Sequence, residues 1–72
     1  MLPNFGPLLG QPAFEQARGI VMELRTCTAE QAFALMIEIA RSTRRTPEDL
    51  VAALRAPSSR VELLHLFEFD AN

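Results

Sequence analysis

The residues with the clearest chemical potential are arginines. All seven basic side chains of the chain are arginine, and Arg18 directly precedes Gly19, while Arg41, Arg44 and Arg45 lie close together. An arginine fork binds phosphate or carboxylate through paired N–H groups, and a glycine beside it leaves the backbone open to close approach. The pattern is compatible with contact to a phosphate or to an unstacked base of a nucleic-acid loop.

The same residues also have simpler structural interpretations. Arg18 has carboxylates nearby in Glu15 and Glu23, and Gly19 is also suited to the crossing of another helix. The helix dipole favours cations at a helix C-terminus, which is sufficient reason for the three later arginines. The residues alone leave both interpretations open.

The distribution of charge is more informative than its total. The net charge of −2 argues against a nucleic-acid partner. Residues 17–45, however, carry five arginines against three glutamates, a balance of +2, whereas the remainder carries two arginines against six carboxylates, a balance of −4. Any basic surface is therefore expected within residues 17–45.

Catalytic chemistry is poorly represented. His65 is the only histidine and Cys27 the only cysteine. We interpret His65 as part of a helical polar stripe, Cys27 as a small residue in an interhelical turn, and Glu62 and Glu68 as solvated carboxylates. No phosphate-binding loop or metal-ligand spacing occurs. We therefore expect a protein that is not an enzyme and needs no cofactor or metal.

The first helix is predicted at residues 12–25. Pro12 suits the first helical position, and apolar residues follow at spacings of three and four. The predicted stripe consists of Phe14, Ala17, Val21 and Leu24, widened by Ile20. Gly19 lies inside this helix, where it costs about 1 kcal/mol relative to alanine.

The second helix is predicted at residues 29–43. Thr28 to Gln31 has the spacing of a capping box, with Thr28 as the N-cap. The predicted core face consists of Ala32, Phe33, Met36, Ile39 and Ala40. Leu35 and Ile37 lie off that face, so this helix is either central in the bundle or part of an interface.

A short third helix is predicted at residues 47–55. Thr46 is its predicted cap and Pro47 its first residue, and Pro57 prevents its continuation. The predicted inward residues are Leu50, Val51 and Leu54.

The remaining segments flank this domain, 12–56. Residues 1–11 contain two prolines and two glycines and are predicted to form an arm without secondary structure, whose apolar residues pack on the domain or on a partner. Residues 57–72 are predicted to be a C-terminal extension with a fourth short helix, capped by Ser58 or Ser59, that serves as a dimerisation element. A strand at 60–69 is the alternative.

The overall expectation is an all-α, small helical bundle. The first residues show no basic region typical of a secretory signal, and no apolar run is long enough to span a membrane, so a cytoplasmic protein is expected. A chain of 72 residues is near the lower limit for a self-sufficient core. A partner subunit is therefore plausible.

Part of the sequence resembles the ANTAR domain family. The resemblance lies in the hexapeptide Ala17 to Met22, in Cys27, in the pair Ala32-Phe33 and in the pair Ala40-Arg41, and it extends over residues 13–54. It implies a three-helix bundle that binds paired small RNA hairpins in nascent transcripts and prevents terminator formation. Such domains commonly work as homodimers and follow a receiver or ligand sensor.

The resemblance, together with the arginine pattern, gives six candidate RNA-binding residues: Ala17, Arg18, Gly19, Arg41, Arg44 and Arg45. The chain departs from the family pattern at Ile37, usually polar, and at Val51, usually alanine, and residues 58–72 have no counterpart. No receiver or sensor precedes the matching region in this sequence, so phosphorylation control is not expected. A separate sensor or regulator protein is a further candidate partner.

We expect an RNA-binding antitermination regulator that forms a homodimer through Ile37, Leu63, Leu66, Phe67 and the arm. One alternative is a helical protein-interaction module that kept the bundle but lost RNA binding. A small DNA-binding domain ranks third, because no polar base-reading helix follows a glycine-containing turn.

Overall fold

The structure is a computed structural model that describes residues 3–60 and 62–63. This part of the chain is all-α. A short 3-10 helix at Gly6–Leu8 comes first. It is followed by the helices α1 (Pro12–Arg25), α2 (Ala29–Thr43) and α3 (Pro47–Arg55). Residues 57–60 and 62–63 are also helical. The predicted bounds of the three main helices are confirmed. No helix in these ranges has the length and apolar character needed to cross a membrane.

The predicted caps explain where the helices begin. Thr28 Oγ1 accepts a hydrogen bond from the Gln31 N–H at 3.1 Å, and Gln31 Oε1 accepts one from the Thr28 N–H at 3.0 Å. This reciprocal pair is the capping box. At α3, Thr46 Oγ1 accepts from the Asp49 N–H at 3.1 Å. Both caps satisfy backbone donors that the first helical turn leaves unpaired.

The core lies where the three helices meet. Each predicted core residue of α3 is buried, and so are Phe14, Ala17 and Val21 of α1. On α2, Phe33 is only partly buried, while the other four predicted residues are buried. The prediction for Leu24 is wrong, because its side chain is 42% exposed. Leu24 lies at the edge of the stripe in the last turn of α1, just before the chain turns toward α2.

Phe5 fixes the N-terminal arm to the bundle. Its side chain is 2% exposed, and its ring centroid lies 6.0 Å from that of Phe14 and 5.7 Å from that of Phe33. Phe14 and Phe33 also meet edge to face at 5.8 Å. The arm therefore packs on its own domain through Phe5. The expectation that it lacks secondary structure is wrong at Gly6–Leu8.

The chain after α3 also returns to the core. Ala56 is extended, as the residue before a proline usually is, and its carbonyl accepts from the Arg60 N–H at 2.9 Å. The helical segment thus begins at Pro57, not after a cap at Ser58 or Ser59. Arg60 Nε donates to the Leu54 carbonyl at 2.9 Å and so satisfies an orphan acceptor at the end of α3.

Leu63 is 1% exposed, so its expected place on a free dimerisation surface is wrong. It is part of the core formed with α1, α2 and α3. The predicted fourth helix is confirmed at 57–60 and 62–63. The predictions for His65, Leu66, Phe67 and Glu68 lie outside the described residues.

Replacing Phe5 should destabilise the whole domain. Phe5→Ala removes a fully buried ring from a three-ring cluster, so we expect the free energy of unfolding in urea to fall by about 3 kcal/mol or more. Phe5→Leu should lower the free energy of unfolding clearly less than Phe5→Ala does. Gln16→Ala, at an exposed residue of α1, is the control and should change the free energy of unfolding little. Equal losses for Phe5→Ala and Gln16→Ala would show that the ring cluster does not stabilise the domain.

Candidate nucleic-acid interface

Ala17 does not reach the surface. Its exposure is 0%, and its small side chain packs in the core between α1 and the other helices. The prediction that Ala17 contacts RNA is therefore wrong in this arrangement. A small residue is required here because it faces the helix interface, which is a packing role.

Arg18 is held against its own helix. Its Nη2 lies 2.5 Å from Glu15 Oε1, and its guanidinium carbon lies 5.2 Å from the centroid of the Phe14 ring. The interpretation that Arg18 pairs with a neighbouring carboxylate is confirmed for Glu15. The side chain is still 25% exposed, so the guanidinium is oriented by the ring and also accessible to a ligand.

Among the described residues, nothing packs against Gly19 closely enough to require a glycine. A Cβ built on its backbone would have no neighbouring side chain or other element of these residues within 4 Å. No helix of the described part of the chain crosses α1 at this position. Alanine would fit there and would be more favourable by about 1 kcal/mol, so the described part of the fold does not account for the glycine.

The end of α2 places Arg44 in a conformation that favours glycine. Arg44 has φ 56° and ψ 37°, the left-handed region. The Arg45 N–H donates to the Ala40 carbonyl at 2.9 Å, and the Arg44 N–H donates to the Arg41 carbonyl at 3.4 Å. This pair of bonds forms a Schellman motif, whose left-handed residue is usually glycine. An L residue other than glycine costs about 1 kcal/mol there.

Three of the predicted arginines meet at one groove, which we call the arginine groove. Its volume is about 560 Å³. Its lining consists of Pro3, Asn4, Ala40, Arg41, Arg44, Arg45, Thr46 and Pro47. Arg41, Arg44 and Arg45 thus come together, whereas Arg18 and Gly19 lie on α1 and are not part of the lining. No carboxylate is among these residues, so the charge of the lining is positive.

The three arginines differ in how the protein engages them. Arg41 bonds to Glu38, which lowers the pKa of the Glu38 carboxyl and raises that of Arg41, first through the hydrogen bond and then through charge attraction. Both side chains are half exposed, so the pair is screened by solvent and contributes little to stability. Arg44 and Arg45 form no salt bridge with a described residue.

Arg45 carries an unsatisfied donor. Its Nε is buried and has no hydrogen-bond acceptor among the described residues. A buried unpaired donor costs about 1–3 kcal/mol.

Five lining residues were not predicted as site residues, namely Pro3, Asn4, Ala40, Thr46 and Pro47. Pro3 and Asn4 come from the arm, and no local motif marks them as functional. Their position follows from Phe5, since its burial brings the preceding residues to the end of α2. Cys27 is half-buried in the turn between α1 and α2 and packs against the core, as predicted for a small turn residue.

Comparison with known families gives one match. The ANTAR domain model matches residues 8–54, which is more than half of the chain. No curated protein and no solved structure matches the chain significantly. The matched region contains α1, α2 and α3 and excludes Pro3, Asn4 and Phe5.

Gly19→Ala and Arg44→Gly should both stabilise the domain. The first removes the entropic cost of glycine in a helix, and the second removes a left-handed arginine. We expect urea unfolding to show an increase of about 0.5–1 kcal/mol for each. Thr26→Gly is the control, because Thr26 occupies the same left-handed position after α1, with φ 50°, and should stabilise similarly. A loss of stability in Gly19→Ala would show that the glycine has a packing role.

Proposed function

The chain belongs to the ANTAR domain family, whose members are RNA-binding regulators of transcription antitermination, and on that premise we propose that it recognises hairpin loops in nascent transcripts. Binding to a hairpin would hold the transcript in a form that excludes the terminator. The protein then acts in the cytoplasm, where transcripts emerge, with no catalytic activity and no cofactor.

The observation that carries the proposal is the arginine groove. In a chain of net charge −2, three arginines line one groove, and no carboxylate of the described residues lines it. Phosphate contacts supply most of the affinity in nucleic-acid complexes and fix the orientation of the partner. The net negative charge elsewhere on the chain disfavours nonspecific binding, so it is compatible with a local RNA-binding surface.

Arg18 and Gly19 supply a second contact in this proposal. The Arg18–Glu15 pair is exposed and therefore weak, so the guanidinium can exchange the carboxylate for a phosphate at small cost. Phe14 keeps its plane oriented. Gly19, with open space around it, lets a sugar–phosphate backbone approach α1 closely.

Paired hairpins would be bound by a homodimer, with one hairpin on each copy. Among the described residues, Leu9 and Leu24 are the exposed large apolar side chains, at 52% and 42%. Ile37 is half-buried and packs against the core, so it contributes less than expected. With Leu63 in the core, Leu9 and Leu24 become the principal candidates for the contact between copies.

Leu24→Glu should weaken the dimer and leave the fold intact, because Leu24 is exposed. Sedimentation velocity over a concentration series should show a dimer for the wild type and a shift to monomer for the variant. Gln16→Glu adds the same charge on α1 at an exposed position and should have no effect. A wild-type monomer at every concentration would remove the homodimer from the proposal.

The exposed Leu9 and Leu24 also favour a second candidate function. A helical interaction module would bind another protein, such as a separate sensor, through one of these leucines, which lie near opposite ends of α1, and would not bind RNA. The arginine groove distinguishes the two candidate functions, because RNA binding requires it and an interaction module does not.

RNA binding should depend on the arginine groove. We expect a tandem-hairpin RNA to bind more tightly than duplex DNA, with affinity falling as salt rises. Arg45→Ala should lower the affinity and reduce the slope of log K against log salt by about 0.7, the value for one lost contact to single-stranded nucleic acid. Arg18→Ala should weaken binding as well.

Arg55→Ala is the matched control for these measurements. It removes the same charge from an exposed residue of α3 that is not in the lining of the groove. Equal losses in Arg45→Ala and Arg55→Ala would mean that only net charge matters. If the wild type bound no hairpin RNA, the interaction module would be the better account.

A further inference from the structure

We infer that the N-terminal arm completes a nucleotide subsite in the arginine groove, in which Asn4 reads the edge of one unpaired loop base. This inference rests on the proposed function, since the ligand is a loop nucleotide of the bound RNA. It adds a specificity-determining residue from outside the region that matches the family model. The subsite would take a base that presents a carbonyl oxygen, namely guanine, uracil or cytosine.

The groove has two chemically different sides. Arg41, Arg44 and Arg45 come from the end of α2, and Pro3 and Asn4 come from the arm. A nucleotide has the same division, with an anionic phosphate and an uncharged base. The volume of about 560 Å³ lies within the range of roughly 300–1,000 Å³ typical of small-molecule pockets. The groove is therefore large enough for one nucleotide.

The hydrogen bond from Gly6 determines which atoms of the Asn4 side chain remain available to a ligand. Asn4 Oδ1 accepts from the Gly6 N–H at 3.0 Å, which orients the side-chain amide. No hydrogen bond involves Asn4 Nδ2 among the described residues, and the residue is exposed. Asn4 thus offers its two N–H groups to the groove as donors, with the acceptor already engaged.

This arrangement selects among the bases. Guanine, uracil and cytosine each carry a carbonyl oxygen that accepts from an amide N–H. Adenine has no carbonyl oxygen, and asparagine pairs with it by donating to N7 while the amide oxygen accepts from the N6 amino group. In Asn4 that oxygen already accepts from the Gly6 N–H, so the adenine amino group would be left without its partner, which costs binding energy. Adenine should accordingly be the disfavoured base at the loop position that enters the groove.

Phe5 makes the arm a fixed side of the groove. Its burial against Phe14 and Phe33 follows Asn4 directly in sequence, and the Gly6 bond restrains Asn4 from its other side. Preorganisation of this kind reduces the ordering cost of binding. An arm that was not held in place would lose conformational entropy each time RNA bound.

The test uses the whole chain and a set of tandem hairpins in which each loop position in turn carries each of the four bases. We expect the wild type to disfavour adenine at one position by about fivefold or more, the lower limit for a specific base contact. Asn4→Ser should abolish this discrimination. Serine remains neutral and its hydroxyl can accept from the Gly6 N–H, so the turn is retained without the amide donors.

Gln11→Ser is the control, since Gln11 lies on the arm but not in the lining of the arginine groove. It should leave the preference unchanged. If Asn4→Ser binds hairpins with the wild-type preference, the subsite is wrong and the proposed function stands. If the wild type binds no hairpin, both are wrong.

Nuclear magnetic resonance gives a second readout that separates base from phosphate. Addition of uridine monophosphate should shift the side-chain amide signals of Asn4 and the backbone signals of Arg44 and Arg45. Inorganic phosphate should shift the arginine signals only. Identical shifts with both probes would reduce the groove to an anion site and overturn the role of Asn4.

Discussion

The contact on which the structure depends most is the cluster of Phe5, Phe14 and Phe33. It joins the arm, α1 and α2 in a chain too short to build a large core, and aromatic pairs of this geometry contribute beyond their buried area. The same cluster positions both candidate contact regions. Phe14 supports the guanidinium of Arg18, and Phe5 brings Asn4 to the end of α2. The same three rings therefore stabilise the core and position the proposed RNA-binding surface.

Local conformational preferences are violated at two of the candidate positions, in opposite senses. Gly19 is a glycine where a helix prefers alanine and where no described residue requires it. Arg44 is an arginine where the backbone prefers glycine. Natural sequences usually satisfy such preferences, and departures from them concentrate at functional sites. Thr26 shows that a left-handed residue alone is not diagnostic. Arg44 differs from Thr26 in its place, because it lies in a groove that no carboxylate of the described residues lines.

The sequence allowed the helices to be predicted because their ends are encoded locally. Thr28 with Gln31, Thr46 with Pro47, and Pro12 are short-range signals, and each fixed a helix start. Two misses have a common physical origin, since they depend on contacts between distant segments. Leu24 falls just outside the interface and Leu63 returns to the core. Ala17 is different, because the apolar stripe of α1 already predicted that it faces inward, and only the family resemblance gave it an RNA contact. Asn4 reaches the groove because the neighbouring Phe5 is buried against Phe14 and Phe33, which are distant from it in sequence.

We propose that Gly19 and Arg44 are retained for a ligand at a cost to the fold. Unfolding in urea and hairpin binding, both measured on the double variant Gly19→Ala/Arg44→Gly, test this. The free energy of unfolding should rise by about 1–2 kcal/mol, while the affinity for tandem-hairpin RNA should fall by about tenfold or more. If the variant is more stable and binds the RNA as tightly as the wild type, these two residues are not retained for RNA.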